Sequence, residues 1–154
     1  MPRSVAKAGA LLVAFVAAAA CADIRPPRAK VLAPLDPRLD RVVYVTTTRA
    51  RETIVASLKQ AGFRVAADAR ETSVVVAVKL GGVRARDPKC GTLQNVSYDV
   101  FQGGVRTAVI KGRGWTGANC EPNVYDQMNL VLAHLFGPGS GPLEAAGAPE
   151  APAP

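Results

Sequence analysis

Two alternating runs joined by two glycines constrain this chain more than any other feature. Residues 94–102 place Val96, Tyr98 and Val100 on one side, and residues 105–111 return after Gly103-Gly104. A two-residue turn of type I′ needs positive φ at both central positions, which glycine supplies without steric cost. The pair therefore predicts a tight antiparallel hairpin. Its simplest register sets Tyr98 opposite Val109 and Val100 opposite Thr107. Extended toward the open end, the same register brings Cys90 opposite Gly117, three positions short of Cys120. Two of the three cysteines thus meet at one end of one hairpin.

The third cysteine belongs to a different signal. Arg3 and Lys7 precede an apolar run from Ala8 through Ala20 that stops at Cys21. A basic start, a short apolar core and small residues at the exit read as a secretory signal peptide over residues 1–20. The run is short for a spanning helix, which needs about 20 apolar residues. Ala18-Ala19-Ala20-Cys21 resembles a bacterial lipobox, although alanine stands where leucine is usual three positions before the cysteine. That resemblance implies lipidation of Cys21. With Ala22 rather than an acid next in line, it also implies delivery to the outer membrane, facing the periplasm. Cleavage at an A-x-A site after Ala20 or Ala22 fits the same residues and would release a soluble periplasmic or secreted protein. An exported chain meets oxidising conditions, so Cys90 and Cys120 are expected to form a disulfide. A zinc site would need two further ligands, and His134 is the chain's one histidine.

Pro26, Pro27, Pro34 and Pro37 make residues 21–41 read as an extended tether. Residues 137–154, rich in Gly, Pro and Ala, lack the apolar surface that would offset ordering and read as a disordered tail. The foldable domain is then 42–136. It begins with a strand over Val42–Thr46. A helix follows over Arg49–Ala61, capped by Thr48, with Ala50, Ile54, Leu58 and Ala61 as its apolar stripe. Gly62 suits the left-handed position after that helix, with Phe63 folding back. A valine-rich strand over Thr72–Leu80 is ended or bulged by Gly81-Gly82. After the hairpin, Asn123 caps a last helix to Phe136 whose buried face is Val124, Met128, Val131 and Leu135, flanked by Tyr125 and Leu132. The order β-α-β-β-β-α predicts one small α+β domain: a mixed sheet with two helices on one face.

Chemistry-bearing groups are sparse. Residues 112–117 match G-x-G-x-x-G, but Cys120, Glu121 and Pro122 separate it from the following helix. A dinucleotide site requires the loop to run directly into a helix N-terminus, so no cofactor is expected. There is no C-x-x-C, and the carboxylates show no paired motif. His134 lies off the last helix's apolar stripe without an assignable nucleophile, so no enzyme is expected. What remains is charge. The chain carries a net charge of +7 with only 5% aromatic residues. Arg84, Arg86 and Lys89 cluster beside Cys90, and Arg113 precedes Trp115. These five are the candidate ligand- or partner-binding residues, with an anionic polymer or an envelope protein as partner. A lone Trp in a small domain is more often a core residue than a contact, and Trp115 carries both readings. Aromatic interleaving of the kind that binds single-stranded nucleic acid is missing from the cluster, so no nucleic acid is expected.

The order signal, cysteine, proline tether, compact domain is similar to small bacterial envelope lipoproteins. The segment Arg49 to Leu80 resembles domains of curli-secretion and penicillin-binding-protein-activator lipoproteins, and the amino-terminal domain of the Tol periplasmic component. The resemblance implies binding or assembly rather than catalysis. It assigns no functional residue.

Overall fold

The computed structural model describes residues 23–36 and 38–136. The signal segment, Cys21 and the tail from residue 137 lie outside the described residues. Six strands and two helices run in the order β1 (Arg25–Val31), β2 (Val42–Thr46), α1 (Arg51–Gln60), β3 (Arg64–Val65), β4 (Val74–Asp87), β5 (Gly91–Gln102), β6 (Val105–Trp115) and α2 (Val124–Leu135). The sheet order is β1-β6-β5-β4-β2-β3. Strand β2 is parallel to β3 and β4, and the remaining neighbours are antiparallel, so the sheet is mixed as expected.

The hairpin forms around Gly103 and Gly104, at φ 56° and 81°. Its register differs by one residue from the simple expectation: Tyr98 faces Ile110 and Val100 faces Ala108. The cause is a bulge between Val100 and Phe101 that leaves Thr107 unpaired in the ladder. The Thr107 hydroxyl donates to the Val100 carbonyl at 3.1 Å, which satisfies the extra residue locally. Glycines at 81 and 82 bulge β4 without ending it, and the strand continues to Asp87.

The segment expected to be a tether is in part a strand. Arg25–Val31 pairs with β6 at the sheet edge, so the domain begins near residue 25 rather than 42. Pro26 and Pro27 are tolerated there because an edge strand has one side without a ladder; the register breaks between Arg25 and Arg28, across the prolines. Helix α1 starts two residues later than predicted. Ala50, in left-handed backbone (φ 56°), occupies its N-cap in place of a Thr48 side chain. Ala50 is exposed, while Ile54, Ser57 and Leu58 are buried. The C-terminus matches the glycine-capped form: Gly62 N–H donates to Lys59 O and Phe63 N–H to Leu58 O.

Both helices cover one face of the sheet. Ile54 and Leu58 meet Met128, Leu132 and Phe136 over Val43, Val76, Val78, Tyr98 and Ile110 in one buried cluster. Asn123 caps α2 as predicted, accepting from Tyr125 N at 2.8 Å. The buried stripe of α2 is rotated from the predicted one, through Tyr125, Met128, Asn129 and Leu132, leaving Val131 and Leu135 only partly buried. A polar chain explains the rotation. Tyr98 Oη donates to Asn129 Oδ1 at 3.1 Å, Asn129 Nδ2 donates to Ser57 Oγ at 2.7 Å, and the Ser57 hydroxyl donates to Asp126. Burial pushes the Tyr98 phenol well above its usual pKa, so it stays a donor.

The glycines of the G-x-G-x-x-G match serve packing. A Cβ on Gly112 would meet Pro27 at 3.0 Å and the Met128 sulfur at 3.3 Å. One on Gly114 would meet Val124 at 3.1 Å, and one on Gly117 would lie 2.5 Å from the Cys90 carbonyl carbon. Helix α2 therefore rests directly on the β6 backbone. At the open end of the hairpin Cys90 and Cys120 form the expected disulfide, with Cα atoms 4.9 Å apart.

Replacing Asn129 by Ala leaves the Tyr98 hydroxyl and Ser57 with broken bonds at a buried site. We expect a loss of about 1–3 kcal/mol, read as a lower urea midpoint at unchanged slope; an unchanged midpoint would contradict the polar chain. Reducing Cys90–Cys120, separated by 30 residues, should remove about 3.7 kcal/mol in the chain-entropy account, measured by denaturation with and without reductant.

Candidate anion-binding face

The helices leave the opposite face of the sheet without a covering element among the described residues. Directly opposed residues on neighbouring strands share a face, so the register reads out what that face carries. One cross-strand row runs Lys79, Ser97, Lys111, Arg28. The next runs Ala77, Asp99, Val109, Lys30. On one side of these lies Asn95, Arg113, Arg25, and on the other Val75, Phe101, Arg106. Each of the four adjacent rows carries at least one cation, seven in all against the single carboxylate of Asp99, and they come from three strands, β1, β4 and β6.

Two carboxylates temper this charge. Asp99 is 4% exposed and sits between Lys79 Nζ, at 2.8 Å, and the Arg106 guanidinium. Burial pushes its carboxyl up, but hydrogen bonds and charge from Lys79 and Arg106 outweigh this and hold it below the usual range. Asp23 accepts from Arg113, whose Nε also donates to Asn95 Oδ1 at 2.7 Å. Among the described residues Arg25, Arg28, Lys30 and Lys111 form no ion pair. Val109, between Asp99 and Lys30 in its row, is buried on this face, and long Lys and Arg stems can cover such apolar positions while their charged heads reach water. Two open grooves result, one between Arg25, Lys79 and Lys111, the other between Arg28, Lys30 and Arg106. This arrangement offers many donors to a spread of negative charge. It offers no paired acid and base.

The residues singled out from sequence are scattered by the fold. Arg84 falls at a second irregularity of β4, between Val83 and Ala85. Arg86 pairs with Thr92 on the helix side, in a groove shared with Arg49 and Tyr125. Lys89 lies in the β4–β5 turn, where Asp87 accepts from the backbone N–H groups of Lys89 and Cys90. Those two bonds hold the Asp87 carboxyl below its usual range. Arg113 is only 6% exposed and already engaged by Asn95 and Asp23, so it organises the open face from beneath. Trp115 is half-buried opposite Leu93. The predicted cluster is therefore not one patch. His134 is exposed on α2 with Nδ1 on Leu130 O, remote in the fold from the basic rows.

Apart from Arg113, the open-face cations form no contiguous motif, because β1 and β6 carry three each, β4 one and β5 none. Arg28 with Lys30, and Lys111 with Arg113, are spaced by two, which in a strand means one face. That signal was usable for β6; for β1 the prolines concealed it.

Replacing Asp99 by Asn should lower stability at neutral pH by about 1–3 kcal/mol, because Lys79 and Arg106 lose their shared partner. A carboxyl whose folded pKa is depressed contributes stability that is present above about pH 4 and lost as pH falls through its lowered value. The variant should therefore show a shallower acid limb in thermal melts from pH 6 to pH 2. Parallel limbs would contradict the assignment.

No helix among the described residues is long and apolar enough to cross a membrane. No protein-family model matches the chain, and no curated protein matches it. Among solved structures it is similar to two PelC dodecamers from Paraburkholderia phytofirmans. One, a single-residue variant, shares 17% identity over 73% of this chain and 98% of that chain, with a TM-score of 0.47. The other shares 16% identity over 70% of this chain and 96% of that chain, with a TM-score of 0.45.

Proposed function

We propose that this chain is a non-enzymatic envelope lipoprotein, acylated at Cys21 at the outer membrane and facing the periplasm. Its domain binds an anionic envelope partner through the open sheet face. The observation that carries the binding half is the set of adjacent cross-strand rows in which Arg25, Arg28, Lys30 and Lys111 have no ion-pair partner among the described residues. A field of like charge on one face raises the local concentration of oppositely charged partners. The anchoring half rests on the lipobox-like Ala18-Ala19-Ala20-Cys21 after an apolar run. The disulfide supports export, since such bonds persist outside the reducing cytosol.

Intact-mass measurement on membrane-extracted chain tests the anchor. The expected species begins at Cys21, carries acyl groups and lacks two hydrogens for the disulfide. A chain beginning at Cys21 or Asp23 without acyl mass would replace the lipoprotein by a soluble module, and a cytosolic chain with three free thiols would end both readings.

A further inference from the structure

We propose that the anionic partner of the open face is the phospholipid surface that holds the chain's own anchor, so that the sheet lies flat against the headgroups. The proposal rests on acylation of Cys21 and adds an orientation to it. Asp23 is bonded to Arg113, and Arg113 lies in the open-face row with Asn95 and Arg25. Cys21 precedes Asp23 by two residues, which span at most about 7 Å even when extended. Strand β1 takes up the chain again at Arg25. The part of the expected extended tether that follows Cys21 most closely, Arg25–Val31, is thus spent in the sheet, and an acyl group on Cys21 would enter the bilayer beside the basic rows.

Charge supplies the second argument. At physiological salt the screening length is about 8 Å, so only cations held flush with a membrane feel its surface charge. Arg25, Arg28, Lys30 and Lys111 are within that reach only if the open face turns toward the membrane that Cys21 enters. Each Lys or Arg so placed strengthens attachment to an anionic leaflet roughly five-fold. An acyl chain and a basic surface together make the two-signal attachment that holds a protein stably at a membrane. The helix side, with Lys59 exposed on α1, then faces away.

The test uses membrane-extracted full chain in vesicles of phosphatidylcholine, or of phosphatidylcholine with phosphatidylglycerol, labelled by a water-soluble amine reagent and read by peptide mass spectrometry. With phosphatidylglycerol, labelling of Lys30, Lys79 and Lys111 should fall about five-fold or more, in proportion to the attachment each charge adds. Lys59 should be unchanged, and high salt should restore labelling. Equal labelling in both vesicles, or equal protection of Lys59, overturns the proposal. Protection of the same lysines by a soluble polyuronate but not by the vesicles overturns it in favour of an acidic polysaccharide. If intact mass shows no acyl group, the anchor reading fails separately, while vesicle protection still decides whether this face meets lipid.

Discussion

The buried chain from Tyr98 through Asn129 and Ser57 to Asp126 ties β5, α2 and α1 together on one side of the sheet. Apolar contact alone would leave the rotation of α2 loosely specified, because Val131 and Leu135 could equally have faced inward. A half-satisfied polar network in a dry core is costly, so only the rotation that completes every bond is stable. The bare backbone at Gly112 and Gly114 then lets α2 descend onto β6. With both helices committed to one side, the other side of the sheet remains open, and its chemistry is set by whichever residues alternate outward.

Half of the residues in the four open-face rows are cationic, and the sheet can carry them for physical reasons. Lysine and arginine stems are long enough to shield the pleat, which stands in for the missing layer of helices. Asp99 and Asp23 relieve the repulsion where two cations would otherwise be closest, beneath Lys79 and Arg106 and beside Arg113. Arg28, Lys30 and Lys111 are left unneutralised on an outer surface. Their repulsion costs stability that a folded domain has little reason to bear unless something negative meets it.

Much of the fold was legible in the residues. The paired glycines announced the hairpin, Gly62-Phe63 announced the end of α1, Asn123 announced α2, and the cysteine spacing announced the disulfide. The misreadings share a cause: local rules were overridden by long-range pairing. Thr107 gives no local sign of the bulge that moves Tyr98 from Val109 to Ile110. Pro26 and Pro27 argue against a strand, and only an open edge beside β6 admits one. Asn129 is a polar residue whose burial makes sense only once Tyr98 and Ser57 converge on it. The open face was the least legible feature, because a surface assembled from β1, β4, β5 and β6 has no contiguous motif. Arg84, Arg86 and Lys89 drew attention as a run, yet a run of charges is usually a solvated element, and here it occupies a strand end and a turn.

The central claim is that charge acts through one face and not through the whole molecule. Partition onto phosphatidylglycerol-containing vesicles should be measured for two double charge reversals of equal net charge: Lys30→Glu with Lys111→Glu, and Arg49→Glu with Lys59→Glu. The account predicts that the first pair loses more than about ten-fold in partition, since each reversed charge subtracts an attraction and adds a repulsion. The second pair should stay near the parent. Equal losses for the two would mean that only net charge matters, and the oriented face would be contradicted.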